Sequence, residues 1–397
     1  MKNNLLILIA MGCTATLQFV LMRNMLSLGG KELLGNYTFA LGICGPIFVF
    51  FNLGLRNIIN SKSAYRYNIN DIFTLKLISL TVSMVFSFLI IDFYSKSTES
   101  KAIFYFVVAY KFLESVCEFS IANYIVSKRA FRYSVSSFLK LAFVSVFFYL
   151  YSRNDWSADN VLVYAILIYL VSSLVDIFEL FKYRCSFVLN RNLLMKSILL
   201  GTSSLIATMI VAYPRIFLGN EGYLDVLADL GMVLTMVSIV GMCWSSYLQN
   251  NLSKLSKIYS SNVREGNLHF IKNYIFLILF SAPFVFIIAV FFGNDILSLV
   301  FGIKLVYSQP ELYAVVVVSI STLLQATSNN LLVARGKAGV LTYVNGLFFT
   351  GIVVLINVLF SGTFLSMLII ISMLLIINAL VGIYIGTRKD VLKTNFE

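Results

Sequence analysis

Residues 276–292 read Phe-Leu-Ile-Leu-Phe-Ser-Ala-Pro-Phe-Val-Phe-Ile-Ile-Ala-Val-Phe-Phe, an apolar run without a charged side chain. A helix needs roughly 20 predominantly apolar residues to cross about 30 Å of hydrocarbon, and the run with its flanks, 270–293, meets that length. Other segments that meet the same criterion lie at 4–28, 34–58, 72–92, 102–125, 134–151, 160–181, 194–218, 223–249, 308–334, 339–360 and 363–386. The sequence therefore predicts an all-α polytopic membrane protein with about 12 transmembrane helices.

The composition supports this fold class and excludes several functions. Apolar residues make up 59% of the chain and charged residues only 12%, which leaves too little polar surface for a soluble globule. The formal charge of +12 comes mostly from short loops between apolar segments, so it indicates membrane topology and not nucleic-acid binding. The cysteines lack CxxC spacing and His269 is the single histidine. We therefore expect no metal site and no cofactor.

The basic residues are distributed unequally between the loops. Of the 30 Lys and Arg residues, 20 fall in loops on one face of the predicted bundle, 5 on the other and 5 within helices. Positive loops face the cytoplasm, so both termini are predicted to be cytoplasmic. The longest loop predicted is 250–269, on the cytoplasmic side, and no external loop is long enough to hold a catalytic module. We therefore expect a transporter and not an enzyme.

A weak internal repeat relates two segments of the chain. Residues 26–35, Leu-Ser-Leu-Gly-Gly-Lys-Glu-Leu-Leu-Gly, align with residues 216–225, Ile-Phe-Leu-Gly-Asn-Glu-Gly-Tyr-Leu-Asp. Repeats of this kind are a known transporter plan with the substrate path between two halves. The predicted organisation is a six-helix bundle at 1–183, a cytoplasmic linker at 184–193 and a second six-helix bundle at 194–397.

Several motifs resemble those of one family. The stretch 23–37, Arg-Asn-Met-Leu-Ser-Leu-Gly-Gly-Lys-Glu-Leu-Leu-Gly-Asn-Tyr, is similar to the first two helices of Wzx-type O-antigen flippases and related polysaccharide exporters. Residues 213–219, Tyr-Pro-Arg-Ile-Phe-Leu-Gly, stand at the matching place in the second half. The stretches 296–302 and 332–337 also resemble parts of these exporters near their tenth helix. Asp225 stands where the repeat would favour glycine.

The resemblance implies a fold and a function. The fold would be that of multidrug, oligosaccharidyl-lipid and polysaccharide exporters, with two six-helix bundles around a V-shaped central cavity. The cargo would be an undecaprenyl-pyrophosphate-linked O-antigen or other polysaccharide repeat unit, moved to the periplasmic leaflet of the bacterial inner membrane by alternating access. Membrane lipid and other polysaccharide assembly proteins would be its partners. The chain has no GxxxxGK[ST] loop, so we do not expect it to hydrolyse ATP.

Charged residues inside the predicted spans are candidate site residues, because an ionisable group in the bilayer centre costs at least about 2.5–3.5 kcal/mol. Lys111, Glu114 and Glu118 share one face of the helix at 102–125. A carboxylate there facing a wet cavity could carry a coupling proton, which makes Glu114 and Glu118 ion-coupling candidates and Lys111 a substrate-binding candidate. The alternative is a Lys111–Glu114 pair that only orients the helix.

Arg23 and Arg215 occupy comparable positions on the helices that would begin each half. Their planar guanidinium groups suit a phosphate or an acidic sugar. They could instead anchor at the interface or pair with Asp225 and Asp229, which are themselves further ion-coupling candidates.

Other polar residues of the spans have more than one interpretation. Gln325 and Asn329 could bind sugar hydroxyls or join neighbouring helices. Lys76 and Lys140 are expected to reach the cytoplasmic interface with their long side chains. Asp176, Glu179 and Lys182 form an i, i+3, i+6 stripe near the cytoplasmic end of the helix at 160–181, where an interfacial ion pair is expected.

Two other functions stay open. A cation-coupled small-molecule or multidrug antiporter would share the fold but enclose a narrower, more apolar cavity, and an acidic cavity lining would favour cationic drugs. A polysaccharide polymerase would act at the outer face, and the short external loops argue against it.

Overall fold

The computed structural model describes residues 2–60, 67–94, 98–151, 158–186, 190–302, 304, 306–335 and 337–388. The helices are α1 (Lys2–Phe51), α2 (Leu55–Asn60), α3 (Ile69–Tyr94), α4 (Thr98–Val126), α5 (Ala130–Tyr151), α6 (Ala158–Leu180), α7 (Arg191–Asn220), α8 (Leu224–Ser261), α9 (Val263–Phe270), α10 (Phe276–Phe301), α11 (Gln309–Ala334), α12 (Ala338–Leu359) and α13 (Phe364–Thr387). A short π-helical turn, Ile271–Ile275, joins α9 to α10. The predicted fold class, an all-α membrane protein, is confirmed.

Within the described residues, ten helical segments are long and apolar enough to cross a membrane. One of these, Leu5–Phe51, consists of two spans, because Gly29 and Gly30 interrupt α1 with non-helical backbone angles. Gly30 has φ of +66° and ψ of −157°, a conformation that is open essentially only to glycine. Lys31, immediately after the break, forms a 2.9 Å ion pair with Asp229 of α8. The break separates the spans predicted at 4–28 and 34–58.

Helix α4 is the remaining predicted span, and it is not among the ten because of its charged residues. It has 29 residues, more than enough to cross the hydrocarbon. Val107 and Ala122, on either side of the charges, are fully buried, and α4 packs against α1 and α6. Counting α4 and the two parts of α1 separately gives the twelve spans that the sequence predicts.

One predicted loop is largely helical. The polar stretch 250–269 forms the end of α8 and most of α9, separated near Asn262. The Asn262 side chain accepts hydrogen bonds from the backbone N–H groups of Arg264 and Glu265, which caps α9. The Tyr259 hydroxyl donates to the Asn267 side chain across the bend, at 3.0 Å. The loop prediction was wrong because a helix outside the membrane can expose polar residues.

The chain divides into two compact units, unit 1 (Met1–Thr235) and unit 2 (Met236–Glu397). In unit 1, α1 packs against α4, α5 and α7, and α6 packs against α4 and α5. In unit 2, α13 packs against α11 and α12. The repeat-based bounds 1–183, 184–193 and 194–397, and the cavity between two bundles, stay predictions.

Glycines allow the closest helix contacts within each unit. In α13, Gly382 and Gly386 are four residues apart, and a Cβ at either would collide with Ser328 or Leu331 of α11. In unit 1, a Cβ on Gly42 of α1 would lie 2.8 Å from the Cβ of Arg215 on α7. Small residues at such spacing let helix backbones approach closely in membranes. The contact at Gly42 also sets the position of the Arg215 Cβ atom relative to α1.

Candidate functional site

Helix α4 carries a stripe of charged side chains along unit 1, as the spacing of Lys111, Glu114 and Glu118 predicts. The Lys111 ammonium lies 2.6 Å from a Glu114 carboxylate oxygen, so the paired alternative is the arrangement seen. Lys111 is 18% exposed and Glu114 33%, which leaves both accessible from outside the helix packing. The Lys111 ammonium also lies 5.5 Å from the centre of the Tyr110 ring.

Glu118, the third member of the stripe, pairs with a different helix. Its carboxylate lies 3.5 Å from the ammonium of Lys76 on α3, and Lys76 also donates to the Asn52 side chain. Lys76 is buried, so the expectation that it reaches the interface was wrong. Turning inward lets the ammonium meet a carboxylate and an amide oxygen, which together offset the loss of water.

Arg215 on α7 and the charged stripe on α4 lie on two helices that both pack against α1. Arg215 packs against Gly42 of α1, and Tyr37 of the same helix contacts Phe106 of α4 with ring centres 6.2 Å apart. The buried Nε of Arg215 finds no hydrogen-bond partner among the residues that the structure describes. A buried donor without a partner is costly, so this atom is a candidate for binding a ligand.

We call Tyr37, Lys111, Glu114 and Arg215 the Arg215 cluster. It contains two cations and one carboxylate, and therefore a surplus of one positive charge. The guanidinium group can present two parallel N–H donors to an anion, and Lys111 adds a nearby point charge. Chemically, the cluster is suited to an anionic group such as a phosphate.

A second group of charges lies deeper in unit 1. The Asp176 carboxylate of α6 is fully buried and lies 2.6 Å from the Lys140 ammonium of α5. The Ser136 hydroxyl donates to the same carboxylate oxygen at 2.6 Å. The prediction that Lys140 reaches the interface was therefore wrong. The ion pair expected within the stripe Asp176, Glu179 and Lys182 is formed by Glu179 and Lys182, at 2.6 Å, and not by Asp176. The charges of Lys140 and Asp176 neutralise each other inside the helix packing, while the second carboxylate oxygen of Asp176 accepts no hydrogen bond from a described residue.

The other charged candidates of unit 1 lie outside the Arg215 cluster. Asp229 pairs with Lys31, at the α1 break, and not with Arg215. Arg23 and Asp225 have exposed side chains. Their predicted roles, in substrate binding for Arg23 and in ion coupling for Asp225 and Asp229, stay predictions.

The polar residues of α11 lie in unit 2. Thr327 accepts a 2.8 Å hydrogen bond from the Trp244 indole of α8, so this part of α11 joins two helices. Gln325 is partly exposed. The side-chain amide oxygen of Asn329 is buried, and no described residue donates a hydrogen bond to it. Helix joining therefore accounts for Thr327, while sugar binding by Gln325 and Asn329 stays a prediction.

Sequence reasoning missed the pairing of buried Lys76 with partly exposed Glu118 and the buried pair Lys140–Asp176. The only signal in the sequence was a charge inside each apolar span. Each partner lies on another helix, at least 36 residues away, and a single sequence does not show which helices are neighbours. Among the described residues, no group of three or more His, Cys, Asp or Glu side chains could hold a metal ion.

Comparisons with known proteins agree with this architecture. No protein-family model matches the chain. The chain is 24% identical over 311 residues to the capsular polysaccharide biosynthesis protein CapF of Staphylococcus aureus, a match that covers 76% of this chain and 77% of that protein.

Solved structures of transporters share the fold. An inward-facing multidrug resistance MATE family transporter of the MOP superfamily matches with a TM-score of 0.67 and 15% identity, over 94% of this chain and 93% of that one. The eukaryotic MATE transporter AtDTX14 matches with a TM-score of 0.62 and 15% identity, over 96% and 94% of the two chains. The chain therefore has the MATE transporter fold.

Proposed function

We propose that this protein is a flippase that moves undecaprenyl-pyrophosphate-linked polysaccharide repeat units from the cytoplasmic to the periplasmic leaflet by alternating access. The observation that carries the proposal is the buried guanidinium Nε of Arg215, which has no hydrogen-bond partner among the described residues. The transporter fold and the similarity to a capsular polysaccharide biosynthesis protein support it. The residues that resemble Wzx-type flippases, 23–37 and 213–219, include Arg215.

In this proposal each group of the cluster has one task. Arg215 binds a pyrophosphate oxygen with its Nε–H, which has no hydrogen-bond partner among the described residues. Lys111 adds positive charge, and Glu114 holds Lys111 in place while the site is empty. Tyr37 supplies a hydroxyl beside the guanidinium. We also propose that Glu114 takes part in ion coupling, because it holds the cation that would face the anion.

The proposal is tested in bacterial cells that lack their own flippase. Undecaprenyl-pyrophosphate-linked sugars are measured by mass spectrometry and assigned to a leaflet by their accessibility from the periplasm. Cells with the wild-type protein should carry complete units on the periplasmic side, whereas cells without it or with Arg215→Ala should accumulate them on the cytoplasmic side. The exposed Arg264 of α9 offers a matched control, and Arg264→Ala should behave as wild type.

A cation-coupled multidrug antiporter is the second candidate, because the solved structure with the TM-score of 0.67 is a multidrug resistance transporter. The positive surplus of the Arg215 cluster disfavours a cationic substrate. If complete units reach the periplasmic side without the protein, and the protein instead raises resistance to cationic drugs, the antiporter replaces the flippase.

A further inference from the structure

Three helix ends of unit 1 meet around one carboxylate. Helix α4 ends at Val126, α5 begins at Ala130 and α6 ends at Leu180. The Glu179 carboxylate lies 3.6 Å from Arg129, 3.2 Å from Arg132 and 2.6 Å from Lys182. Glu179 is only 8% exposed, whereas each of the three cations is at least 50% exposed. We call these four residues the Glu179 cluster.

The Glu179 cluster carries a net positive charge. Three cations surround one carboxylate, which leaves a surplus of two positive charges on the outer side of the cluster. The other carboxylate nearby in α6, Asp176, is fully buried and neutralised by Lys140. The surplus is therefore free to attract an anion from outside.

The backbone turn after α4 and the buried Glu179 carboxylate position the cations. Lys128 has a φ of +57°, a left-handed conformation that turns the chain sharply between α4 and α5. The backbone N–H of Arg129 donates to the Tyr124 carbonyl at 2.8 Å, which closes that turn. Tyr183 lies beside Glu179 and Arg129; burial raises the pKa of its hydroxyl, Glu179 raises it further and Arg129 lowers it. The cluster is thus organised before any ligand arrives.

Exposed aromatic side chains accompany the charges. Phe131 precedes Arg132, and Phe178 and Phe181 flank Glu179 and precede Lys182. Each of these three rings is more than 60% exposed, and the centres of Phe178 and Phe181 are 6.1 Å apart. They stand at the ends of apolar helices, where a bilayer changes from hydrocarbon to headgroups. The surface therefore offers positive charge and apolar contact side by side.

From this juxtaposition of an organised cation cluster and exposed aromatic rings we infer that the Glu179 cluster is a binding site for an anionic phospholipid of the surrounding leaflet. The headgroup phosphate binds Arg129, Arg132 and Lys182, and the acyl chains lie along the exposed phenylalanines. Basic clusters at the membrane boundary attract anionic headgroups, and guanidinium groups match phosphate oxygens. The inference does not depend on which cargo the protein carries.

The phospholipid is tested by native mass spectrometry of the purified full-length protein in detergent. Dioleoyl phosphatidylglycerol and dioleoyl phosphatidylcholine, which share acyl chains, are titrated separately, and the apparent Kd of the first bound lipid is measured. We expect phosphatidylglycerol to bind tighter than phosphatidylcholine. Arg129→Gln with Arg132→Gln should weaken phosphatidylglycerol binding about 25-fold, at about fivefold for each cation near the membrane surface.

Two further variants separate a lipid site from a purely structural ion-pair cluster. Glu179→Gln removes the competing internal anion, so it should bind phosphatidylglycerol at least as tightly as wild type. At a lipid site, loss of the cations weakens phosphatidylglycerol binding and loss of the carboxylate does not. If the four residues only formed structural ion pairs, the two kinds of variant would not differ in this way. Lys182→Gln, which removes one half-exposed cation, should weaken binding about fivefold.

Matched controls decide whether the effect is local. Lys254→Gln with Lys257→Gln removes two exposed cations from α8 and should leave the Kd unchanged. An equal loss in this control, or no preference for phosphatidylglycerol over phosphatidylcholine, would overturn the inference. Undecaprenyl pyrophosphate and inorganic phosphate are added as competitors. If undecaprenyl pyrophosphate displaces phosphatidylglycerol at a lower concentration, the site belongs to the carrier lipid and the phospholipid assignment fails.

Discussion

Unit 1 and unit 2 bury different kinds of polar side chain. Among the residues whose burial the structure describes, Lys76, Lys140, Asp176 and Glu179 are the buried charged residues, and all four lie in unit 1. In unit 2, the buried polar residues among those described are all Ser, Thr or Asn. Charges inside a membrane protein are costly to keep, so unit 1 is where we expect binding and ion coupling to take place. In unit 2 the hydrogen bond from Trp244 to Thr327 is a neutral contact that joins two helices.

The largest effect is expected from breaking the buried pair of unit 1. Asp176→Asn leaves the Lys140 ammonium buried without a carboxylate, which should destabilise the protein by about 3–5 kcal/mol. The double change Lys140→Met with Asp176→Leu removes both charges and should restore most of the stability. Thermal unfolding in detergent measures both variants.

The exposed pair Lys101–Asp92 is the matched control for that experiment. Lys101→Met should change stability by less than about 1 kcal/mol, because water already screens this pair. If Asp176→Asn were as mild as Lys101→Met, the buried charges would not distinguish unit 1 from unit 2.

A smaller effect is expected from the neutral contact of unit 2. Trp244→Phe removes the indole donor to Thr327 and keeps an aromatic ring, so it should cost about 0.5–1.5 kcal/mol. A double-mutant cycle with Thr327→Val, followed by thermal unfolding, isolates this hydrogen bond. A coupling energy near that of the buried ion pair would remove the contrast between the units.

The smallest effect is expected at the partly exposed pair beside the α1 break. Lys31→Gln should destabilise the protein by about 0.2–1 kcal/mol, since Lys31 is 39% exposed and water competes for its ammonium. The same unfolding measurement in low and high salt should show the loss shrinking as salt rises. A large loss of stability that does not depend on salt would mean that Lys31–Asp229 behaves like a buried ion pair.

The sequence predicts the helices well because span length and hydrophobicity are local properties. The Gly29–Gly30 break lies between the spans predicted at 4–28 and 34–58, and α4 is helical in spite of its charges. The stretch 250–269 was wrongly predicted as a loop because a water-facing helix and a loop have similar polar compositions.

The candidate site was predicted only in part. The spacing of Lys111 and Glu114 made them neighbours on one helix, and the structure confirms their contact. The position of Arg215 relative to Tyr37 depends on how α1 and α7 pack, which involves the close approach at Gly42. The partners of Lys76 and Lys140 depend on helix packing in the same way, so reading each helix alone gave the wrong environment.

The central claim is that Arg215 binds the pyrophosphate of a lipid-linked cargo, and a direct binding measurement tests it. Purified wild-type protein, Arg215→Gln, Arg23→Gln and the exposed control Arg264→Gln are titrated with undecaprenyl pyrophosphate in detergent. We expect Arg215→Gln to weaken binding by about tenfold or more, as loss of a charge-assisted hydrogen bond implies, while Arg264→Gln binds as wild type. The Arg23→Gln result shows whether that exposed residue shares the role. An Arg215→Gln protein that is folded and binds with wild-type affinity would contradict the account.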